Sequence, residues 1–167
     1  MLRHSYIDNR LGRLTVVAQG NHLRGIYFEG HWTHPDVRSF GTLISSTEDA
    51  LFMETAQQFE QYLSSERRSF DLPIETAGDR FHESVWGILK EIPYGQTVSY
   101  GEIAEELGNI HLARRVGQAV GANPLSVIIP CHRVLGKDGK ITGYAGGIER
   151  KQLLLELEEP LGLNRLW

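Results

Sequence analysis

Strand-type runs near the N-terminus and helical periodicity after residue 80 predict an α/β (α+β) chain. It divides into a small N-terminal strand–helix lobe, residues 1–76, and a mainly helical C-terminal domain, residues 77–167, that contains a helix-turn-helix. Three observations carry this reading. Two runs rich in β-branched and aromatic residues flank turn residues near position 20. Apolar residues then recur at helical spacing in several later windows. The polar stretch Glu75-Thr76-Ala77-Gly78-Asp79 separates the two patterns as a linker. A chain of 167 residues is long enough for a small domain beside a slightly larger one.

In order, residues 14–18 and 23–28 read as strands, with Gln19-Gly20-Asn21-His22 turning between them. Residues 30–46 are polar and read as loop. His31 and His34 lie in it as solvated histidines rather than metal ligands, because no cysteine or acidic partner stands close by. Ser46 and Asp49 resemble a capping box, opening a helix whose stripe is Phe52, Ala56, Phe59 and Leu63 and which ends by Ser64-Ser65. Residues 70–74 read as an edge strand, since Pro73 removes a ladder donor.

Past the linker, Phe81, Val85, Trp86, Leu89 and Ile92 form an amphipathic helix stopped by Pro93. Ser99 and Glu102 make a stronger capping box and open a helix through Leu107, with Gly108-Asn109 as its stop. A second helix, 111–122, ends at Asn123-Pro124. Two short helices around a glycine-containing turn have the form of a helix-turn-helix. Arg114 and Arg115 stand near the N-terminal end of its second helix, where side chains reach nucleic acid. Solvated arginines on an ordinary helical hairpin fit the same pattern. An extended apolar run, 126–129, leads to Cys131, and residues 136–140 read as a hairpin turn. Residues 142–147 form a glycine-rich loop without the surroundings of a phosphate loop. The last helix, 148–158, has Leu153, Leu154 and Leu157 as its core face, with Pro160 and Gly162 ending it.

Composition narrows the function classes. The net charge is −4, so the chain as a whole is not a basic nucleic-acid binder; contact with DNA requires a local cluster of cations. One cysteine makes neither an internal disulfide nor a Cys-based zinc site, which favours a reducing, cytoplasmic setting. No stretch is apolar and long enough for a signal peptide or a membrane span, so no membrane partner is expected.

That single cysteine lies in Ile128-Ile129-Pro130-Cys131-His132-Arg133-Val134. An imidazole and a guanidinium beside a thiol favour the thiolate, which is the nucleophilic form. A small buried hydrophobe is the competing reading.

Pro130-Cys131-His132-Arg133-Val134 resembles the active-site signature of the O6-alkylguanine-DNA alkyltransferases. The resemblance spans about residues 81–159 in colinear order. It includes Ile92-Pro93-Tyr94-Gly95, Ser99-Tyr100, Ala113-Arg114-Arg115-Val116-Gly117, Asn123-Pro124 and Tyr144-Ala145-Gly146-Gly147. It implies a DNA repair protein that flips an alkylated guanine out of the duplex and moves the O6-alkyl group irreversibly onto Cys131, once per molecule. By the same resemblance His132 acts as base through a water and Glu158 holds His132. Tyr100 donates toward N3 of the departing guanine. Asn123 ties the recognition helix to the active-site segment. Arg114 fills the gap in the base stack, with Arg115 one register slip away. Ser99 and Ala113 join these at the DNA. Val120, Val134, Tyr144, Ala145 and Gly146 line the pocket. Some relatives carry serine where this chain has Ala145, which leaves a backbone N–H for O6.

The resemblance also implies double-stranded DNA as partner, no cofactor and no metal, the structural zinc of some relatives having no cysteines here. A monomer is expected, with cooperative assembly on DNA left open. Two other classes fit parts of the sequence. A non-catalytic lesion sensor or helix-turn-helix regulator would leave Cys131 inert. A Cys-His hydrolase would need direct base catalysis, yet neighbouring residues of an extended segment point apart.

Overall fold

The computed structural model describes residues 1–31 and 35–159. His34, Pro160 and Gly162 lie outside them. Two compact units are present. One is Met1–Thr76 together with Pro124–Ile128; the other is Ala77–Asn123 together with the chain from Ile129 onward.

The first unit is built on a four-stranded sheet of order β3-β2-β1-β4. Its strands are β1 (Leu2–Asn9), β2 (Gly12–Gln19), β3 (His22–Phe28) and β4 (Thr42–Leu43). β1 and β3 flank β2 antiparallel, and β4 runs parallel to β1. β1 escaped the sequence reading because Arg3, His4, Ser5, Asp8 and Asn9 make it polar, yet His4, Ser5 and Ile7 are buried in it. The expected loop after Gly30 contains a 3-10 turn, Val37–Phe40, before β4. His31 is not solvated: it is buried, and its Nδ1 accepts from the Phe28 N–H at 3.3 Å.

Helix α1 (Ala50–Leu63) is capped by Asp49, not by Ser46. The Asp49 carboxylate accepts from the Leu51 and Phe52 N–H groups and from Arg3 Nε at 2.6 Å, and a carboxylate is a better acceptor than a hydroxyl where an arginine is also within reach. Phe52, Phe59 and Tyr62 are fully buried along its inner face. Each contributes about 1.5–3 kcal/mol by leaving water. Residues 70–74 do not form a strand: only Ile74 makes a single bridge, to Leu23, while Phe70 packs on Phe59 and Tyr62.

The second unit contains α2 (Arg80–Lys90), β5 (Val98–Ser99), α3 (Tyr100–Glu106), α4 (Ala113–Gly121), β6 (Val134–Leu135) and α5 (Ile148–Glu158). Asp79 caps α2, and Ser99 with Glu102 forms a complete capping box on α3. A 3-10 turn, Ile110–Leu112, joins α3 to α4. The helix-turn-helix is therefore α3, turn, α4. Trp86 Nε1 donates to the Ala119 carbonyl at 2.8 Å and fixes α2 against α4. β5 and β6 pair parallel, Val98 against Val134 and Ser99 against Leu135. Residues 136–140 form a closed turn, Gly136 N–H to the Lys140 carbonyl at 2.7 Å, but no second strand follows to make it a hairpin.

Candidate active site

Four short elements bring the site together. The chain leaves α4 at Asn123 and bends sharply at Val127, a β-branched residue held at φ +72°. It does not arrive at Cys131 extended. Cys131–Arg133 forms a 3-10 turn that leads straight into β6. The Asn123 side chain spans this excursion, its Nδ2 donating to the Ile129 carbonyl at 2.7 Å. Asn123 is buried and also hydrogen-bonds the thiol.

The two cationic neighbours expected to stabilise the thiolate do something else. Arg133 is turned toward α5, where Nε donates to Glu158 Oε1 and Nη2 to Glu158 Oε2, both at 2.8 Å. Its Nη1 donates to the Ile92 carbonyl at 2.7 Å, and its guanidinium lies over the Tyr94 ring. Ile92-Pro93-Tyr94-Gly95 thereby serves as a seat for a buried ion pair. Tyr94 adds a hydrogen bond to the Leu157 carbonyl at 3.3 Å.

His132 is fully buried and its Nε2 lies 2.8 Å from Glu158 Oε2. Burial would raise the Glu158 carboxyl, but the hydrogen bonds from His132 and Arg133 and the Arg133 charge outweigh it and hold the group well below the usual carboxylate range. An ionised carboxylate only accepts, so Nε2 carries the proton. Burial pushes His132 below its ordinary value against the pull of Glu158, and the cations Arg133 and Lys151 push the same way. The ring is thus a neutral imidazole at pH 7. Its lone pair sits on Nδ1, which is buried and has no hydrogen-bond partner among the described residues. The lone pair of a neutral imidazole is an acceptor and can take a proton.

Cys131 is 4% exposed, and burial pushes its thiol above the ordinary value. The Asn123 amide, the charge of Lys151 and the neighbouring Tyr144 hydroxyl oppose that rise. The resting group is a thiol, and ionising it requires a base and a counter-charge. Lys151, which the sequence does not single out, is the buried cation whose charge favours the thiolate. Lys151 is 1% exposed on α5, and burial lowers its ammonium from 10.5 to about 8, with the Cys131 thiolate pulling the other way. Lys151 and Glu158 are seven residues apart, two turns along one helical face, and that face packs on the Cys131–Arg133 turn. The buried face of α5 is Lys151, Leu154, Leu155 and Glu158, rotated from the expected Leu153, Leu154 and Leu157. Both ends of this face are charged, so a hydropathy reading turns the helix the wrong way.

The remaining expected site residues fall into two groups. Tyr100 begins α3 directly after β5, which pairs with the strand leaving the cysteine turn. Its hydroxyl lies 3.1 Å from Thr142 Oγ1, and Gly117 of α4 leaves room beside the ring. Burial pushes the Tyr100 phenol above its ordinary value, so it stays a donor. Val120, Val134, Tyr144, Ala145 and Gly146 are all buried in this unit. At the surface, Arg114 and Arg115 are both exposed at the start of α4 and Ala113 is half-buried. The two arginines are not equivalent: the Arg115 guanidinium is stacked 4.1 Å over the Phe81 ring, and Arg114 has no such contact among the described residues. Ser99 is committed to its cap, accepting from the Glu102 N–H at 3.0 Å. Among the described residues no group of three or more His, Cys, Asp or Glu side chains is arranged to hold a metal ion, and no helix is long and apolar enough to cross a membrane.

Two family models match this chain. Residues 2–76 match the 6-O-methylguanine DNA methyltransferase ribonuclease-like domain, and residues 80–160 match the 6-O-methylguanine DNA methyltransferase DNA binding domain. The chain belongs to this methyltransferase family. A Mycobacterium tuberculosis methylated-DNA–protein-cysteine methyltransferase is 40% identical over 95% of this chain and 93% of its own length. An inducible Bacillus subtilis relative of the same name is 43% identical over 82% of this chain and 80% of its own. The crystal structure of Mycobacterium tuberculosis OGT in complex with DNA matches with a TM-score of 0.85 at 39% identity, covering 95% of this chain and 93% of that one.

Proposed function

We propose that this protein is a methylated-DNA–protein-cysteine S-methyltransferase that repairs O6-alkylguanine in double-stranded DNA, each molecule acting once. The observation that supports it most is the buried Glu158–His132 pair, which leaves a neutral imidazole lone pair beside the only cysteine. The relatives' names and the DNA-bound relative point the same way.

The damaged base leaves the stack because its O6 substituent cannot meet a thiol inside a duplex. Arg114, exposed and unstacked, takes the space it vacates. The purine lies among Val120, Val134, Tyr144, Ala145 and Gly146. His132 Nδ1 takes the thiol proton through one bridging water. Glu158 holds the ring in the required tautomer, and Arg133 holds Glu158. Lys151 balances the thiolate that results. The sulfur attacks the alkyl carbon, the S–C bond forms and the C–O6 bond breaks. Charge then passes to the purine, where Tyr100 donates at N3. Guanine leaves as its N1/O6 anion, steadied by the Tyr100 hydrogen bond at N3, and takes a proton at N1 from solvent, while the proton that His132 accepted from the thiol is released to solvent, so protons and charge balance. No step regenerates the thiol.

Asn123 acts by position, tying the end of α4 to the segment before Cys131. The second unit is the DNA-binding and transfer domain, and the first supports it. We read the protein as a monomer of the reducing cytoplasm. The reading is tested by incubating it with a duplex carrying one O6-methylguanine. Guanine should be restored up to one equivalent of protein and no further, whereas multiple turnovers or no repair at all would reject it.

A further inference from the structure

We infer that Arg80, the first residue of α2, is an additional contact to the DNA backbone and that it holds one phosphate together with Arg115. The inference rests on the reading that this unit binds duplex DNA. A groove of about 470 Å³ lies between the start of α2 and the start of α4. Phe81, Leu107 and Leu112 give it apolar walls, and Arg80 and Arg115 line it. Both arginines are exposed, and neither forms a salt bridge among the described residues. Stacking on Phe81 occupies the flat face of Arg115 and leaves its N–H edge for an acceptor.

The carboxylate that shares the groove, Asp79, is already engaged. Its Oδ1 accepts from the His82 N–H at 2.8 Å and lies 2.7 Å from His82 Nδ1. Two arginine edges beside apolar walls suit a phosphodiester, which accepts charge-assisted hydrogen bonds from both. With a net charge of −4 the chain needs its cations gathered in one place to meet DNA. Arg80, Arg114 and Arg115 supply that cluster. Arg80 is hidden in the sequence because 34 residues separate it from Arg114.

The test is a fluorescence-anisotropy titration of a short duplex containing O6-methylguanine over a series of salt concentrations, in a Cys131→Ser background so that transfer does not deplete the complex. Losing one phosphate contact makes the slope of log K against log salt shallower by about 0.9 and weakens binding about eight-fold at 0.1 M salt. Arg80→Ala should show both effects, and Arg80→Lys should recover most of the affinity. With Cys131 present, Arg80→Ala should react with free O6-benzylguanine at the wild-type rate. An unchanged slope in Arg80→Ala overturns the inference. So does an equal loss in Arg10→Ala, which removes an exposed arginine of the other unit. A parent protein with no salt-dependent binding would sink the DNA reading and the anchor together. A parent that binds normally beside an indifferent Arg80→Ala would sink the anchor alone.

Discussion

Replacing Lys151 by methionine is predicted to make the protein more stable and less reactive at once. The Lys151 ammonium is 1% exposed, and burial brings it from 10.5 to about 8. A lysine whose folded value is depressed binds its proton less well in the folded chain than in the unfolded one. Its cost is therefore fully present below about pH 8 and fades as pH rises toward 10.5. At about 1.4 kcal/mol per pH unit, the cost at pH 7 is about 3 kcal/mol as an upper bound. Methionine keeps most of the apolar stem and removes the charge. Lys151→Met should then melt up to about 6–12 °C higher at pH 7, with the gain shrinking at pH 10.

The thiolate loses its counter-charge in the same change. One pH unit of lost thiol acidity is a factor of about ten in thiolate. Reaction with O6-benzylguanine, followed by intact mass against time, should slow at least about ten-fold at pH 7, and the deficit should narrow as pH rises. A variant that melts and reacts like the parent at pH 7 would refute the reasoning, because it would mean that Lys151 neither suffers from burial nor serves the sulfur.

Glu158→Gln should cost about 3–5 kcal/mol at neutral pH, since it strands Arg133 as a buried cation. The Glu158 carboxyl is held below its ordinary 4.5, so its contribution is present above that value and is lost as pH falls below it. Acid unfolding followed by circular dichroism should therefore show a flatter acid limb in the variant. Asn123→Ala removes one of two bonds to the Ile129 carbonyl, which keeps the Cys131 N–H; a urea midpoint should register about 0.5–1.5 kcal/mol. Arg114→Ala touches no described side-chain partner. It should leave the melting temperature and the reaction with free O6-benzylguanine unchanged while slowing repair of a duplex at least about ten-fold, read by stopped-time repair assays.

What was legible in the sequence followed local rules. The Ser99–Glu102 capping box, the stripe Val85, Trp86 and Leu89, and the stop at Gly108-Asn109 each rest on short-range chemistry, and each stands in the structure. The misses have long-range causes. β1 hides behind polar residues because the sheet buries His4 and Ser5 as well as Ile7. Asp49 displaced Ser46 as the cap because Arg3, 46 residues away, also needs a carboxylate. The last helix was turned the wrong way because Lys151 and Glu158 break the rule that charges face water. Lys151 lies 20 residues from Cys131, and Glu158 lies 25 from Arg133 and 26 from His132, so no window of helical length contains both sides of the pairing. Likewise the adjacency of Cys131, His132 and Arg133 suggested a cation-flanked thiolate. Only three dimensions show both neighbours aimed at Glu158 and a lysine of α5 buried on the same helical face.

In the proposed reaction Cys131 accepts the alkyl group directly and keeps it. Intact-protein and peptide mass spectrometry after incubation with an excess of O6-methylguanine duplex measures this without inference. One methyl group per molecule is expected, located on Cys131, absent from Cys131→Ser and unchanged by further incubation. A folded, DNA-binding protein whose Cys131 remains unmodified, or whose methyl group sits on any other residue, would contradict it.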